Sequence, residues 1–193
     1  MAQYFDNVDL PSNIVEFNTN FYGVEYKFKT DNGVFSKNNI DFGTRFLLET
    51  IPLKDIKGDV LDVGCGYGTI SIVLGKMLDI QIDGVDVNKR AIHLGEMNKK
   101  LNNVYNANFF ISDCYEKVNK KYDVIITNPP IRAGKDVVYK IFDEAQDHLK
   151  ENGCLYIVIR KEQGAKSAIE HLKEKYKVEI LDKKSGYFVI KCN

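Results

Sequence analysis

The sequence predicts a doubly wound α/β fold, built on a seven-stranded, mostly parallel sheet with one antiparallel strand. From about Gly58 onward, short apolar runs alternate with helical patterns, as in a parallel sheet covered by helices on both faces. After the last helix two strands follow each other directly, and a hairpin at the end of a parallel sheet adds one antiparallel strand. The length of 193 residues predicts a single domain, with residues 51–193 as its core and residues 1–50 as a small, strand-rich N-terminal extension.

The N-terminal extension contains two strand patterns, at residues 14–18 and Val24–Thr30, in which aromatic residues are interleaved. A turn follows at residues 31–33, where Asp-Asn-Gly supplies turn-forming residues. A short helix is predicted to begin after Asp41, whose carboxylate is suited to cap the first turn. Because no linker, repeat or low-complexity segment separates the extension from the rest, we expect it to pack on the core.

The core strands are predicted from apolar runs of the length of buried strands. The five runs that alternate with helices are Asp59–Val63, 80–85, 108–112, Tyr122–Thr127 and 154–160. Apolar residues spaced three and four apart predict helices over residues 137–149 and 165–176. The final hairpin is predicted to pair residues 177–181 with Tyr187–Cys192 through a turn at residues 182–186.

The composition and net charge narrow the range of partners. The formal net charge is zero, which argues against a protein that coats nucleic acid by charge alone, because such binding needs a basic surplus. The cysteines form no C-x-x-C pair and are expected to be buried free thiols: Cys65, Cys114, Cys154 and Cys192. The three histidines lie on predicted helices without metal-ligand spacing, so no metal is expected. Without a signal peptide or a membrane-spanning apolar run, the protein is expected to be cytoplasmic.

A glycine-rich turn follows the first core strand. Gly64, Gly66 and Gly68 stand between strand and helix, where the absence of side chains lets the backbone approach a ligand closely. A dinucleotide-binding fingerprint would place a glycine where this chain has Thr69. Asp62, just before the turn, would repel a pyrophosphate and is suited to hold a cation. A cofactor with a positively charged amino-acid end and no phosphate, such as S-adenosylmethionine, therefore fits this turn.

Acidic residues end the next two core strands. Asp86 follows Gly64 by 22 residues, at the tip of the second core strand, where a carboxylate is well placed to bind both ribose hydroxyls. Val87 beside it is suited to pack on the adenine, and Asp113 after the third strand is suited to accept a hydrogen bond from the adenine amino group. Ligands of open α/β sheets bind at the carboxyl ends of the strands, so we expect these residues to form the cofactor site together with Cys65 of the glycine turn.

The sequence Asn128-Pro129-Pro130 follows the fourth core strand. Two consecutive prolines stiffen the turn and remove two backbone donors, so the carbonyl groups of this loop are expected to stay free. The Asn128 side chain is expected to point out of the end of the sheet. An amide oxygen and a free carbonyl are suited to grip an amino group through both of its hydrogens. We therefore predict that these three residues are catalytic, that Asn128 also adjoins the cofactor, and that the cofactor and a planar amine meet at one sheet edge.

These motifs resemble those of the class I S-adenosylmethionine-dependent methyltransferases, which have a Rossmann-like fold. The subset with Asn-Pro-Pro modifies exocyclic or amide nitrogens: adenine N6, guanine N2 or a protein glutamine. The longer sequence at residues 128–135, with Gly-Val-Phe-Ser at 33–36 and Asp-Phe-Gly-Thr-Arg at 41–45, resembles the bacterial small-subunit (16S) ribosomal RNA guanine-N2 methyltransferases over nearly the whole chain from about Gly23. The resemblance implies S-adenosylmethionine as cofactor, S-adenosylhomocysteine as product, and ribosomal RNA or the small ribosomal subunit as partner.

Substrate contacts are expected around the Asn-Pro-Pro loop. The resemblance places Phe35 near the pocket, where it and Ile131 are expected to pack on a flipped base, although many amino-methyltransferases have an aromatic residue in place of Ile131. The basic residues expected to contact RNA phosphates around the pocket are Arg132, Lys135 and Arg160. Arg45 is expected to brace either the pocket or the cofactor carboxylate, and the sequence leaves both roles open.

Other functions use parts of the same pattern. An adenine-N6 or protein-glutamine methyltransferase would have the same Asn-Pro-Pro loop, and only the resemblance favours guanine. A small-molecule methyltransferase would usually need a helical lid, whereas this N-terminus is strand-rich. A non-catalytic cofactor-binding module is disfavoured because degenerate copies tend to lose the acids and Asn128, and an NAD oxidoreductase is disfavoured by Thr69 and Asp62. The sequence indicates neither the modified nucleotide nor the oligomeric state.

Overall fold

The computed structural model describes residues 10–193, so residues 1–9 of the predicted extension lie outside the described residues. The extension contains an antiparallel pair of strands, β1 (Val15–Phe21) and β2 (Val24–Thr30), which forms a sheet of its own.

Helix α1 (Phe42–Thr50) ends the extension and leads into the core. The Asp41 carboxylate accepts a hydrogen bond from the Thr44 backbone N–H at 3.1 Å, which confirms the predicted helix cap.

The core is a seven-stranded sheet flanked by helices. Its strands are β3 (Asp59–Val63), β4 (Gln81–Asp86), β5 (Ala107–Ile111), β6 (Tyr122–Thr127), β7 (Leu149–Arg160), β8 (Val178–Lys184) and β9 (Tyr187–Cys192). Its helices are α2 (Thr69–Met77), α3 (Lys89–Leu101), α4 (Lys135–His148) and α5 (Ala165–Leu172). The strand order is β5-β4-β3-β6-β7-β9-β8, and β9 runs antiparallel to both of its neighbours. The predicted doubly wound fold with one antiparallel strand is therefore confirmed.

Both faces of the sheet are buried, which explains why its central strands are almost continuously apolar. Alternate residues of β6 face opposite sides: Val124 and Ile126 join the cluster formed with the N-terminal hairpin, α1, α2 and α3, while Ile125 joins the cluster formed with α4 and α5. This burial fixes the register of the strands, and so fixes which side chains reach the carboxyl edge of the sheet.

Two asparagine side chains, one in α3 and one at its C-terminal end, bind the N-terminal hairpin. Asn98 accepts a hydrogen bond from the Lys29 N–H at 2.7 Å and donates to the Lys29 carbonyl at 2.9 Å. Asn102 makes the same pair of bonds with Lys27, at 3.0 and 2.7 Å. These side-chain hydrogen bonds pair with backbone groups at the edge of β2, where a neighbouring strand would otherwise bind. Asn98 also donates to the Tyr67 carbonyl at 3.0 Å, and so connects the hairpin to the loop after β3.

Several predicted element boundaries were wrong by a few residues. The runs predicted at residues 14–18, 80–85, 108–112, 154–160 and 177–181 correspond to β1, β4, β5, β7 and β8, whose observed bounds differ. β7 begins at Leu149, before its predicted start, because the irregular register against β6 lets the chain pair there. As a consequence, α4 ends at His148, earlier than predicted. β8 reaches Lys184 because Ser185 and Gly186, with φ of 50° and 80°, form a tight two-residue turn in place of the longer one expected. α5 ends at Leu172, four residues before the end of the apolar spacing.

The remaining expectations from composition have mixed outcomes. All four cysteines are buried and free, as predicted. Within residues 10–193 no group of three His, Cys, Asp or Glu side chains could hold a metal ion, and the expected absence of a metal stays a prediction. None of the helices in the described part of the chain is long and apolar enough to span a membrane. The division into one domain with residues 1–50 as an extension also stays a prediction.

Candidate active site

A cavity of about 440 Å³ opens at the carboxyl ends of β3, β4, β5 and β6. The predicted site residues that line it are Phe35, Gly64, Cys65, Gly66, Asp86, Val87, Asp113, Asn128, Pro129, Pro130, Ile131 and Arg132. Four other predicted residues, Asp62, Gly68, Lys135 and Arg160, lie outside its lining. The structure thus brings the glycine turn, the strand-end acids and the Asn-Pro-Pro loop to one cavity.

The glycine turn is held against β4 by its backbone. The N–H groups of Gly64 and Cys65 both donate to the Val85 carbonyl, at 2.9 and 3.0 Å. Gly64, Gly66 and Gly68 have φ of 74°, 56° and 91°, in the left-handed region that favours glycine. A Cβ on Gly66 would meet no atom within 4 Å, so the backbone at this residue lies open to the cavity. A ligand can therefore approach the chain closely here.

Gly68 has a different role from Gly66, because a Cβ on Gly68 would lie 2.7 Å from the Phe109 ring. We expect Gly68→Ala to lower the free energy of unfolding by about 2–4 kcal/mol, through overpacking and the left-handed backbone. Gly66→Ala places a side chain on a left-handed residue but causes no steric clash. Its free energy of unfolding should therefore fall by only about 1–2 kcal/mol, and its main effect should be weaker cofactor binding. Urea unfolding and calorimetric titration of both variants measure the two effects, and equal losses of stability would contradict this division of roles.

The Asp62 carboxylate is fully buried beneath the glycine turn. Its Oδ2 accepts hydrogen bonds from the Ser71 hydroxyl at 2.7 Å and the Ser71 N–H at 3.2 Å, while its Oδ1 is buried without a partner among the described residues. Burial raises the pKa of Asp62 to about 7; the Ser71 bonds oppose this rise and the Asp86 carboxylate adds to it. A buried acceptor without a partner beside the turn fits a cofactor with a positively charged group.

We expect Asp62 to make the stability of the protein depend on pH. Its pKa rises from 3.8 to about 7 on folding, so between these values the folded state binds more protons than the unfolded state. This contribution is therefore complete below about pH 4 and is lost as the pH rises to about 7. The side chain of Asp62→Asn does not titrate. Its free energy of unfolding, compared with that of the wild type at the same pH, should therefore rise by a few kcal/mol over that range, at about 1.4 kcal/mol per pKa unit. Urea unfolding at several pH values measures this, and a constant difference would refute it.

Asp86 closes the glycine turn from the side of β4. Its Oδ2 accepts a hydrogen bond from the Gly66 N–H and its Oδ1 accepts one from the Asn88 N–H, both at 2.9 Å. Burial raises the pKa of the Asp86 carboxyl, although the N–H groups of Asn88, Gly66 and Val87 oppose the rise. Three N–H groups occupy three of the four lone pairs of the carboxylate, so Asp86 keeps one as a rigid acceptor for a hydroxyl group in the cavity.

The rim of the cavity is more exposed than its floor. The Asp113 side chain is 54% exposed and lies 3.5 Å from the Lys140 ammonium. Phe35 is 52% exposed although it lines the cavity, so about half of its surface is accessible. Ile131 is partly buried against the α4 side of the core, and Arg132 follows it along the rim.

The Asn128 side chain is held by the first turn of α1. Its Nδ2 donates to the Thr44 hydroxyl at 2.9 Å and lies 3.3 and 3.4 Å from the two carboxylate oxygens of Asp41. All three residues line the cavity. With the nitrogen turned toward α1, the Asn128 Oδ1 is the atom left to accept a hydrogen bond from a ligand.

The two proline carbonyl groups of the Asn-Pro-Pro loop are not free, contrary to the prediction. Pro129 accepts a hydrogen bond from the Ile131 N–H at 2.9 Å, and Pro130 accepts one from the Ala133 N–H at 2.8 Å. The prediction was wrong because a short 3₁₀ turn follows at once and its N–H groups fold back on the proline carbonyls. A carbonyl oxygen has two lone pairs, so each can still accept a second hydrogen bond.

Two of the basic residues expected at the pocket lie beside it. The Lys135 ammonium lies 4.7 Å from the centre of the Tyr139 ring. Arg160 pairs with Glu162 at 2.9 Å, and its guanidinium lies 5.6 Å from the centre of the Tyr187 ring. Tyr187 itself lines the cavity, so Arg160 is one side chain away from it.

Arg45 binds the N-terminal hairpin. Its guanidinium donates to the Asn20 carbonyl at 3.1 Å and the Thr19 hydroxyl at 2.5 Å, and lies 4.4 Å from the Phe21 ring centre. Arg45 also pairs with Glu49 of α1 at 3.4 Å and does not line the cavity, so its observed contacts include neither of the two partners considered from the sequence.

Thr44 and Tyr187 line the cavity although the sequence did not predict them there, and Asp41 was predicted only to cap α1. Asp41 and Thr44 contact Asn128 across 87 and 84 residues of chain. A local sequence pattern cannot show a contact between residues that are so far apart along the chain. The one available signal is the spacing of three between Asp41 and Thr44, which puts both on one side of the first helical turn.

The fold and the cavity together define the class of protein, a class I methyltransferase domain. The chain belongs to the methyltransferase small domain family, whose profile matches residues 25–191. Family membership confirms the predicted enzyme class, and S-adenosylmethionine is the cofactor of this class.

Similar proteins carry several names. The protein YbxB of Bacillus subtilis, described as uncharacterized, is 41% identical over 193 residues, which covers 98% of this chain and 96% of that protein. The ribosomal RNA small subunit methyltransferase C of Psychromonas ingrahamii is 34% identical over 134 residues, which covers 67% of this chain and 38% of that protein. The putative protein N5-glutamine methyltransferase of Methanocaldococcus jannaschii is 37% identical over 150 residues, which covers 66% of this chain and 76% of that protein.

The solved structures include one with a high overall similarity. The Thermus thermophilus 16S rRNA N2 methyltransferase RsmC, in complex with AdoMet and guanosine, superposes with a TM-score of 0.85 at 27% identity. The match covers 95% of this chain and 51% of that chain. This chain therefore spans about half of the Thermus protein and less than half of the Psychromonas protein.

Proposed function

We propose that this protein is an S-adenosylmethionine-dependent N-methyltransferase that modifies the exocyclic N2 amine of a guanine in small-subunit ribosomal RNA. The observation that carries the proposal is the Asn128 amide, whose nitrogen is bound by α1 and whose oxygen is left to accept a hydrogen bond in the cavity of the glycine turn. The similarity to small-subunit methyltransferase C and to RsmC supports guanine N2 as the target.

The cavity residues fit the cofactor. Gly66 offers open backbone, Asp86 offers an acceptor for a hydroxyl group, and Asp113 offers an exposed carboxylate for an amino group. The buried Oδ1 of Asp62 beneath the turn favours a positively charged ligand above it. When bound, S-adenosylmethionine supplies a methyl group activated by a sulfonium.

The chain's contribution to the reaction is the placement of the amine. Asn128 Oδ1 accepts one hydrogen of the amino group, and the second lone pair of the Pro129 carbonyl accepts the other. These two bonds orient the nitrogen lone pair toward the cofactor side of the cavity. The nitrogen becomes acidic only after it is methylated, so its proton passes to water and no strong general base is needed. Orientation and placed dipoles then account for most of the acceleration.

The base is held at the rim. A guanine reaches the cavity by base flipping or from a single-stranded region, and Phe35 and Ile131 pack against its faces. Arg132 at the rim, with Lys135 and Arg160 beside it, contacts phosphates of the flanking nucleotides. Because the net charge of the chain is zero, a folded substrate such as the small ribosomal subunit contributes shape to recognition. Such a substrate places the enzyme in the cytoplasm.

A second candidate is supported by the similarity to the putative protein-glutamine methyltransferase of M. jannaschii. The side-chain amide of glutamine also presents two hydrogens on a planar nitrogen, so the same two acceptors would serve. Adenine N6 is a third amine of this kind. A non-catalytic module is disfavoured because the Asn128 amide is anchored by two residues at the cavity.

The proposed function is tested by transfer of labelled methyl from S-adenosylmethionine. Purified enzyme is incubated separately with small ribosomal subunits, ribosome-free RNA, DNA and protein fractions, and modified nucleosides are identified in the products. Label in N2-methylguanosine is the expected result. N6-methyladenine, or label in protein alone, would overturn guanine as the substrate and select one of the alternatives.

A further inference from the structure

The carboxylate of Asp41 lies against the nitrogen end of the Asn128 amide. Its oxygens are 3.3 and 3.4 Å from Asn128 Nδ2, and the Thr44 hydroxyl is 2.9 Å from the same atom. A primary amide nitrogen has two hydrogens, so one can bind Thr44 while the other faces the carboxylate. Both hydrogens of the Asn128 amide are thus directed to α1, away from a substrate.

This arrangement makes the two orientations of the amide unequal. A carboxylate can accept a hydrogen bond but has no hydrogen to donate. Rotating the Asn128 amide by half a turn would place its oxygen against the Asp41 oxygens, which leaves acceptors facing each other and an amide oxygen without a donor. A hydroxyl could bind either end of the amide, so Asp41 selects the orientation and Thr44 holds the amide in place.

Asp41 is itself fixed in place. Its Oδ1 caps α1 by accepting the Thr44 N–H at 3.1 Å, and the helix N-terminus favours a negative charge there. Gly43 leaves the space that this arrangement needs, because a Cβ on Gly43 would lie 3.0 Å from both Asp41 Oδ1 and the Tyr187 ring. The Asp41 carboxylate and the Tyr187 ring therefore both lie against Gly43 at one wall of the cavity.

We propose that Asp41 and Thr44 are positioning residues that keep the oxygen of the Asn128 amide, and not its nitrogen, directed at the substrate. The site consequently takes substrates that present an N–H group at the reacting atom and rejects those that present a carbonyl or ring acceptor there. This inference rests on the proposed function in one respect, the role of Asn128 as the acceptor for the amine.

The kinetic test uses two exchanges in α1. Asp41→Asn keeps an oxygen that can cap the helix but places an amide nitrogen beside Asn128, which favours the rotated amide. We expect kcat to fall about tenfold or more, as for the loss of one hydrogen bond, with the Kd of the cofactor unchanged. Thr44→Val should also lower kcat and Thr44→Ser should restore it, because serine retains the hydroxyl. Glu49→Gln, a carboxylate-to-amide change in the same helix, is the control and should keep wild-type kcat.

A second measurement observes the amide directly. In protein labelled with ¹⁵N-asparagine, the side-chain NH₂ signal of Asn128 is assigned by its absence from Asn128→Ala. We expect slow hydrogen exchange of this group in the wild type and in Glu49→Gln, and exchange at least tenfold faster in Asp41→Asn. Fast exchange in the wild type, or wild-type kcat in both Asp41→Asn and Thr44→Val, would overturn the inference. If the wild type methylates no amine at all, the proposed function fails, while the exchange measurement still decides the inference about orientation.

Discussion

Replacing Asn128 with alanine is expected to lower kcat for methyl transfer by about 10²-fold or more. The variant removes the amide oxygen that is left to accept a hydrogen bond from the substrate, since the amide nitrogen is bound by α1. The Pro129 carbonyl already accepts the Ile131 N–H, so it holds the amine with one remaining lone pair and cannot replace the lost amide. The affinity for the cofactor should change little, because Gly66 and Asp86 are untouched.

The measurement is single-turnover transfer of labelled methyl, with cofactor affinity obtained separately by calorimetric titration. Asn108→Ala is a matched control, because Asn108 is exposed on β5 and its side chain bonds to Asp83 at 3.2 Å, away from the cavity. Near-normal turnover of Asn128→Ala would refute the proposed role of the amide. A parallel loss of cofactor binding would instead assign Asn128 to the cofactor site.

The fold was predictable because its signals are local. Buried parallel strands give short apolar runs, helices give apolar residues three and four apart, and the alternation of the two implies the layered sheet. Boundaries were harder to predict. The extension of β7 back to Leu149 depends on an irregular register against β6, and the length of β8 depends on the positive φ of Ser185, a conformation unusual for that residue.

The meeting of Gly66, Asp86 and Asn128 at one cavity was also predictable, since each lies at or just after the carboxyl end of a strand. The contribution of α1 was not, because Asp41 and Thr44 meet Asn128 only after the extension has packed on the core. The backbone bond to Pro129 was missed for a related reason, since it depends on the 3₁₀ turn that follows.

Asp86→Asn is the second change from which we expect a large effect, a weaker affinity for S-adenosylmethionine by about 10–100-fold. The Gly66 and Asn88 N–H groups each use one carboxylate oxygen, at 2.9 Å. An amide has a single oxygen, so one of these backbone donors loses its acceptor and meets an NH₂ group, and the cavity loses an acceptor for a hydroxyl. The loss of one hydrogen bond to a charged group corresponds to about 1.5–3 kcal/mol, which gives this range.

Calorimetric titration and the shift in Tm caused by the cofactor measure the effect of Asp86→Asn in two independent ways. A ligand that binds the folded state raises the free energy of unfolding by an amount that grows with the logarithm of one plus the ratio of its free concentration to its Kd. Asp182→Asn makes the same chemical change on the exposed β8 strand, far along the sheet from β4, and should bind the cofactor like the wild type. If Asp86→Asn binds the cofactor normally, the carboxylate serves only the glycine turn, and the hydroxyl groups of the cofactor must be bound by other residues of the cavity. If binding is lost while the Tm without cofactor is maintained, Asp86 acts on the ligand directly, as its place in the cavity lining implies.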